Sequence, residues 1–350
     1  MVSRPGRWRR WVIVAAAGAA ALLALAAVAL PRLTGHTGTV TGTPAAGASP
    51  SLDPARVVGQ PPASGSAAVP SRSASGSPGA LPPVPAGGPL HFIANVGADV
   101  RAITALGFNL VDTGPSPEVV NALPAGVRAL VWLGTLDNHD CANPGYSFAG
   151  FTAAVDRMTG NAKVFGYFLA DEPHPAICPS AAADIRARAD YIRAHDPGHR
   201  SFIVVLDGSN QCGGGYGCEF GALGPAATHV DLVGLDPYPC NTGNAASGCA
   251  YTKIDDWVHN AVKAGVPVAT IVPVYQVFGQ TCSASNYYRM PSGAELTTML
   301  RHWAALTPHP AFDYAYGWGR QGSACPTLAD ANGTAGLPDL QSVVRAHNRG

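Results

Sequence analysis

Charge is scarce in this chain. Only 13% of its 350 residues are charged, and 22 Lys and Arg balance 22 Asp and Glu to a formal net charge of zero. That balance argues against electrostatic capture of a polyanion, so no nucleic acid is expected as a partner. Cysteine is missing from everything before Cys141, and all eight cysteines lie between there and Cys325. No CxxC pair is matched by a second one, which removes the usual zinc-site spacing; no metal and no organic cofactor is expected. Large apolar residues are sparse from Pro31 to Pro89, a stretch of Pro, Gly, Ser, Ala and Thr. Such a composition cannot offset the entropy of ordering, which predicts a disordered linker over 31–89.

The segment before the linker is the opposite. Arg4, Arg7, Arg9 and Arg10 lead into an uncharged run from Trp11 to Leu30, long enough to cross a bilayer as a helix. Arginines before the run predict a cytoplasmic N-terminus and export of the chain beyond Leu30. Residues 1–30 therefore read as a signal peptide, for which Ala27-Val28-Ala29 supplies a small-x-small cleavage pattern, or as a retained signal-anchor helix that tethers the protein to the membrane. Both place the remainder outside the cell, secreted or on the outer face of the cytoplasmic membrane.

Residues 90–350 have the size of one domain and alternate strand-like with helix-like patterns. The strands are expected at Leu90–Val96, Phe108–Asp112, Val127–Leu133, Val164–Ala170, Ser201–Asp207, Val230–Asp236, Val266–Tyr275 and Phe312–Trp318. Most are continuous apolar runs, the signature of parallel strands covered on both faces. Helices are expected at Ala98–Leu106, Phe148–Met158, Ala181–His195, Lys253–Ala264, Gly293–Leu306 and Leu337–His347, with shorter ones at Pro117–Leu123 and Glu219–Ala227. Eight alternations favour an α/β fold of the (β/α)8 barrel type over an open doubly wound sheet, as a monomer.

On a barrel every cysteine falls in a loop leaving the C-terminal end of a strand, the face where barrel enzymes keep their sites. Export makes disulfides the default, and loop adjacency suggests Cys141–Cys178, Cys212–Cys218, Cys240–Cys249 and Cys282–Cys325 among the 105 connectivities that eight cysteines allow.

The same face gathers acids and aromatic rings. Reading the strand ends gives Asn95, Asp112, Trp132 with Asp137 beyond it, Asp171 and Glu172, Asp207, Asp236 with Tyr238, Tyr275 with Gln276, and Trp318. Ring faces stack on sugar rings and carboxylates accept from hydroxyls, so a carbohydrate is the expected ligand. Two adjacent carboxylates where a buried strand ends are costly to desolvate, which points Asp171 and Glu172 toward acid/base chemistry. Adjacent strand residues point to opposite sides, so both reach a cleft only if the strand has ended there; Pro173 assists such a break. Asp112 and Asp207 have plainer readings as turn or helix caps, Asp236 before Pro237 as a turn former, and Trp132, Trp318 and Tyr238 as packed aromatics. His174 lacks a His or Cys partner at ligand spacing, and Asn332-Gly333-Thr334 matches a glycosylation acceptor.

Glu172-Pro173 closing the fourth strand, Val233-Gly234-Leu235-Asp236-Pro237-Tyr238-Pro239 on the sixth and Tyr316-Gly317-Trp318-Gly319 on the eighth together resemble the (β/α)8 glycoside hydrolase superfamily, clan A in particular. The resemblance implies hydrolysis of O-glycosidic bonds, with Glu172 as the acid/base, Asp171 in the place of a sugar-holding Asn and Trp318 as a stacking platform. That clan puts its nucleophilic Glu at the end of the seventh strand, where this chain has Gln276, a neutral amide. Three routes stay open: Asp236 or Asp207 supplies the second carboxylate, Asp171 assists a substrate acetamido group, or the barrel binds sugar without cleaving it. The sequence-based site is thus Glu172 and Asp236 as catalytic residues, with Asp171, Asp207, Tyr238, Tyr275, Gln276, Trp318 and Trp132 as sugar contacts.

Overall fold

The computed structural model of the protein describes residues 89–134, 146–206, 218–332 and 337–350. The Trp11–Leu30 run, the linker up to residue 88, Asp137, Cys141, Asp207 and Cys212 lie outside them, and so do the expected Cys141–Cys178 and Cys212–Cys218 bridges. No helix of the described residues is long and apolar enough to cross a membrane.

Eight parallel strands close into a barrel in chain order: β1 (His91–Ile93), β2 (Leu110–Thr113), β3 (Arg128–Trp132), β4 (Val164–Asp171), β5 (Arg200–Val205), β6 (Leu232–Leu235), β7 (Ile271–Gln276) and β8 (Asp313–Tyr316), which pairs back to β1. The helices between and after them are α1 (Val100–Ala105), α2 (Pro117–Asn121), α3 (Phe148–Met158), α4 (Ala181–His195), α5 (Cys218–Leu223), α6 (Pro225–Thr228), α7 (Thr252–Lys263), α8 (Gly293–Leu306) and α9 (Leu340–Arg349).

The continuous apolar runs are explained by two buried layers. Phe92, Leu110, Leu130, Phe168, Phe202, Leu232, Val272 and Tyr314 fill the inside of the barrel. Their strand neighbours, among them Ile93, Val111, Val131, Tyr167, Ile203, Val233 and Ala315, face outward onto Ile103, Phe151, Ile185, Trp257, Met299 and Val344 of the helices. Each large side chain so buried contributes about 1.5–3 kcal/mol of transfer free energy. Gly234 is required by this packing: it sits on the inner face of β6, and a Cβ there would come within 2.9 Å of the Phe202 ring.

Helix ends follow local chemistry. Ser147 caps α3 by accepting from the Gly150 amide, and Ser292 and Glu295 form a reciprocal capping box at α8. Several expectations shift, and β1, β6 and β8 are shorter at both ends than their apolar runs. The segment before Ile271 is not strand, because Val268–Thr270 is a 3-10 turn after Pro267. The expected Glu219–Ala227 helix is two helices, broken where Gly224 goes extended and Pro225 starts a new first turn. The last helix begins at Leu340 rather than Leu337, after Pro338, with Asp339 at its N-cap.

The loops after β6, β7 and β8 form one cross-linked wall. Cys240 is bonded to Cys249 within the β6 loop, and Cys282 of the β7 loop to Cys325 of the β8 loop. An antiparallel bridge joins Asn241 to Tyr288, and Arg289 is paired with Glu295 at 2.7 Å. The Cys282–Cys325 bridge closes a segment of 43 residues, a constraint that removes about 2–4 kcal/mol of freedom from the unfolded chain.

Candidate active site

At the C-terminal mouth of the barrel lies an open cleft, its empty space about 510 Å³ with the adjoining solvent included. Asp171 and Glu172 come to it from the end of β4 and Asp236 from just beyond β6, with Tyr238 two residues on. Phe278, Gln280 and Tyr288 enter from the β7 loop, Tyr314 and Tyr316 from β8, and Gln321 to Ala324 from the loop after it.

Two backbone irregularities bring the adjacent acids in together. Phe168 points into the barrel, and plain alternation would send Ala170 inward and Asp171 out. Instead the register of β4 against β5 shifts between Phe168 and Ala170, Ala170 packs on the outer layer, and Asp171 turns to the cleft. Glu172 then takes φ +46°, a left-handed value that a side chain with a Cβ adopts at a cost of order 1–3 kcal/mol, while its amide still donates to the Val204 carbonyl at 3.0 Å. The strained residue is held at the cleft by that bond to β5. On β6 the alternation is regular: Leu232 and Gly234 face inward, and so does Asp236.

The three carboxyls act on one another. Glu172 and Asp236 are almost fully buried, at 7% and 3% exposure, and hydrogen-bonded to each other. A bond between two carboxyls needs a proton. Burial raises the Glu172 pKa well above the ordinary carboxylate value, and the charge and hydrogen bond of Asp236 and the charge of Asp171 add to it, against a smaller opposing pull from Lys253. Asp236 is also raised by burial, but its bond from Glu172 and the Lys253 charge hold it down. The two carboxyls therefore share a proton as a pair, Glu172 being raised the more strongly of the two. Asp171 is raised well above the usual value by burial and by the Asp236 charge.

Asp171 consequently weakens the folded state at neutral pH. A carboxyl whose folded pKa exceeds its unfolded value binds more protons when folded, so stability falls as pH rises above the unfolded pKa, about 3.9. Asp171→Asn removes that loss. Thermal melts should show it more stable than the native protein by about 0.5–2 kcal/mol at pH 7, with the gain fading toward about pH 3.5, where both forms are neutral. A gain independent of pH would refute this electrostatic assignment.

The remaining sequence candidates fall elsewhere. Tyr275 is buried and faces outward among the helix-facing residues, its ring 6.0 Å from that of His347. Trp318 also packs in the outer layer and donates from Nε1 to Asp99 at 2.8 Å. Trp132 lies on the inner side of β3, edge-on to Phe168 with ring centroids 4.6 Å apart, and does not line the cleft. Asp112 caps a turn, accepting from the amides of Asn95 and Val96 at 3.1 and 3.3 Å. Asp207 lies outside the described residues.

Gln276 is fully buried, and its amide is wholly engaged by backbone. Oε1 accepts from the Cys240 amide at 3.0 Å, and Nε2 donates to the carbonyls of Cys240, Arg289 and Phe278 at 3.0, 2.9 and 3.2 Å. It pins the β6 loop to the β7 loop and leaves no polar atom for a ligand. A carboxylate could not donate to those three carbonyls, which is the physical reason for a neutral amide at this strand end.

Sequence reasoning passed over Tyr314, Tyr316, Phe278, Gln280 and Tyr288. The first two were findable, because Tyr314 and Tyr316 alternate on β8 and share the inner face. The others stand in an irregular loop whose path no periodicity encodes.

No family model and no curated protein matches this chain. Solved structures do show likeness to it. A chitinase from Chromobacterium violaceum is 13% identical, over 74% of this chain and 98% of that one, with a TM-score of 0.49. An endo-β-1,3-glucanase of subgroup I of GH128 from Amycolatopsis mediterranei, in complex with laminaritriose, is 20% identical over 73% and 98%, with a TM-score of 0.46. A β-glucuronidase from Bacteroides uniformis is 13% identical over 66% and 30%, with a TM-score of 0.45.

Proposed function

We propose that the protein is an extracellular glycoside hydrolase that cleaves O-glycosidic bonds with retention of anomeric configuration, Glu172 serving as acid/base and Asp236 as nucleophile. The observation that carries this reading is the hydrogen-bonded pair of buried carboxyls from β4 and β6 in a ring-lined cleft. The pairing of the two carboxyls supports the retaining arrangement, in which the second carboxyl attacks the sugar itself, over the inverting one, whose groups stand roughly 6.5–9.5 Å apart with a water between them. Gln276 cannot be that second group, since its amide is committed to backbone.

The protonation pattern fits the division of labour. Glu172, raised the more strongly, is the group to give a proton to the leaving oxygen, and Asp236, held down by Lys253, the group to attack the anomeric carbon. Water then hydrolyses the glycosyl ester with Glu172 as base. Tyr238, Tyr314 and Tyr316 line the cleft beside the acids and offer ring faces and hydroxyls to the sugar. The N-terminal 1–30 segment and the 31–89 linker would deliver or tether the barrel outside the cell.

Proton NMR of a turnover in progress tests the mechanism. The first-formed product anomer should have the configuration of the bond cleaved. An inverted product would remove Asp236 as nucleophile, and no cleavage of any glycan by the native protein would remove the hydrolase reading, leaving a sugar-binding barrel.

A further inference from the structure

The ionisable acids and bases that line the cleft are one-sided, beside the neutral amides and hydroxyls of Gln280, Ser323 and the tyrosines. The cleft contains three carboxyls, and among the described residues no Lys or Arg lines it. Asp236, 97% buried, has its Oδ1 without a hydrogen-bond partner, and Asp171 makes no side-chain hydrogen bond among those the described residues show. Both are acceptors turned toward the same space. A buried acceptor without a donor costs about 1–3 kcal/mol, a cost a ligand recovers by donating to it.

The aromatic lining has a matching form. The rings of Tyr238, Phe278, Tyr288 and Tyr316 pack around one another, Tyr238 lying 4.9 Å from Phe278, 5.6 Å from Tyr288 and 6.0 Å from Tyr316, mostly edge to face. The wall beside the acids is thus aromatic, and a cation that reaches a ring face there is attracted to it. An ammonium group has three donors, no acceptor and a positive charge. It answers both features, whereas a hydroxyl answers only the unpaired acceptors and adds no positive charge to that of Lys253, which lowers Glu172 and Asp236 but does not line the cleft.

We infer that the sugar taken by this cleft carries a free amino group, so that the substrate class is a de-N-acetylated, cationic glycan, with Asp171 and Asp236 receiving the ammonium among the four rings. This rests on the reading of the cleft as a sugar site. The raised carboxyl pKa values support it: a bound cation would stabilise the ionised acids and bring their pKa values back down.

The native protein can be titrated by calorimetry with glucosamine and galactosamine oligomers, their N-acetylated forms and the corresponding hydroxyl oligomers, in buffers of different ionisation enthalpy. At least one amino form should bind about tenfold or more tightly than its two counterparts, with net release of protons as the acids ionise. Asp171→Asn should shrink that preference to about threefold or less. Equal or weaker binding of the amino forms, or no binding of them, overturns the inference. The same panel scored for cleavage separates the two readings: hydrolysis of neutral or acetylated glycans with indifference to amino forms sinks the amine and keeps the hydrolase. Tight binding of an amino form with no cleavage anywhere does the reverse.

Discussion

Glu172→Gln should, on the proposed hydrolase reading, lower kcat by about 10²–10⁴-fold on the glycan cleaved, with the affinity for that glycan changed only a few-fold. Gln keeps the size and most of the hydrogen-bonding capacity of the protonated acid, so it can still face Asp236 across their bond. What it cannot do is give a proton to a departing oxygen. The loss should be greatest for substrates with poor leaving groups and small for activated aryl glycosides, where bond breaking needs little protonation. Measuring kcat and sugar affinity side by side decides the matter. Loss of both together, with the fold intact, would make Glu172 a binding residue, and an unchanged kcat would end the case for it as the acid.

Gln276→Glu should be among the most damaging single substitutions in the barrel and should create no activity. By position it would restore the carboxyl that the resembling hydrolases carry. By structure it would place a charge against the carbonyls of Cys240, Phe278 and Arg289, all within 3.2 Å of the present amide nitrogen. An unpaired buried charge of this kind costs about 3–5 kcal/mol, or forces the acid to stay protonated, in which state it still cannot satisfy three acceptors. Denaturant unfolding should show a loss of that size. Glycan cleavage should fall as well, because the β6 and β7 loops that Gln276 joins carry Tyr238, Phe278, Gln280 and Tyr288. A stable variant with equal or higher activity would show that Gln276 stands in for a nucleophile after all.

The eight-strand barrel was readable from the chain because its determinants are local. Runs such as Val164 to Ala170 must be buried on both faces, and turn chemistry ends the helices at capping residues such as Ser147 and Ser292, so α3, α4 and α8 have the limits their pattern predicts. β7 was overextended because Val266 to Thr270 is as apolar as a strand, yet Pro267 starts a 3-10 turn. The site was readable as a location and as residue types. Asp171, Glu172, Asp236 and Tyr238 do line one cleft. Tyr275 and Trp318 face the other way, since a strand-end residue has equal chances of either side until the register is known.

The sequence by itself determined the alternating pattern, the face that collects acids and aromatics, and the neutral Gln276 at the end of the seventh strand. Only the tertiary structure decided which of those groups meet. The inward turn of Asp171 depends on a register shift against a neighbouring strand, that of Glu172 on a left-handed backbone bonded to Val204, and the engagement of Gln276 on the path of two loops far away in the chain. Side-chain type is a property of one residue. Side-chain direction and hydrogen-bond partnership belong to pairs of residues, and folding alone settles which pairs exist.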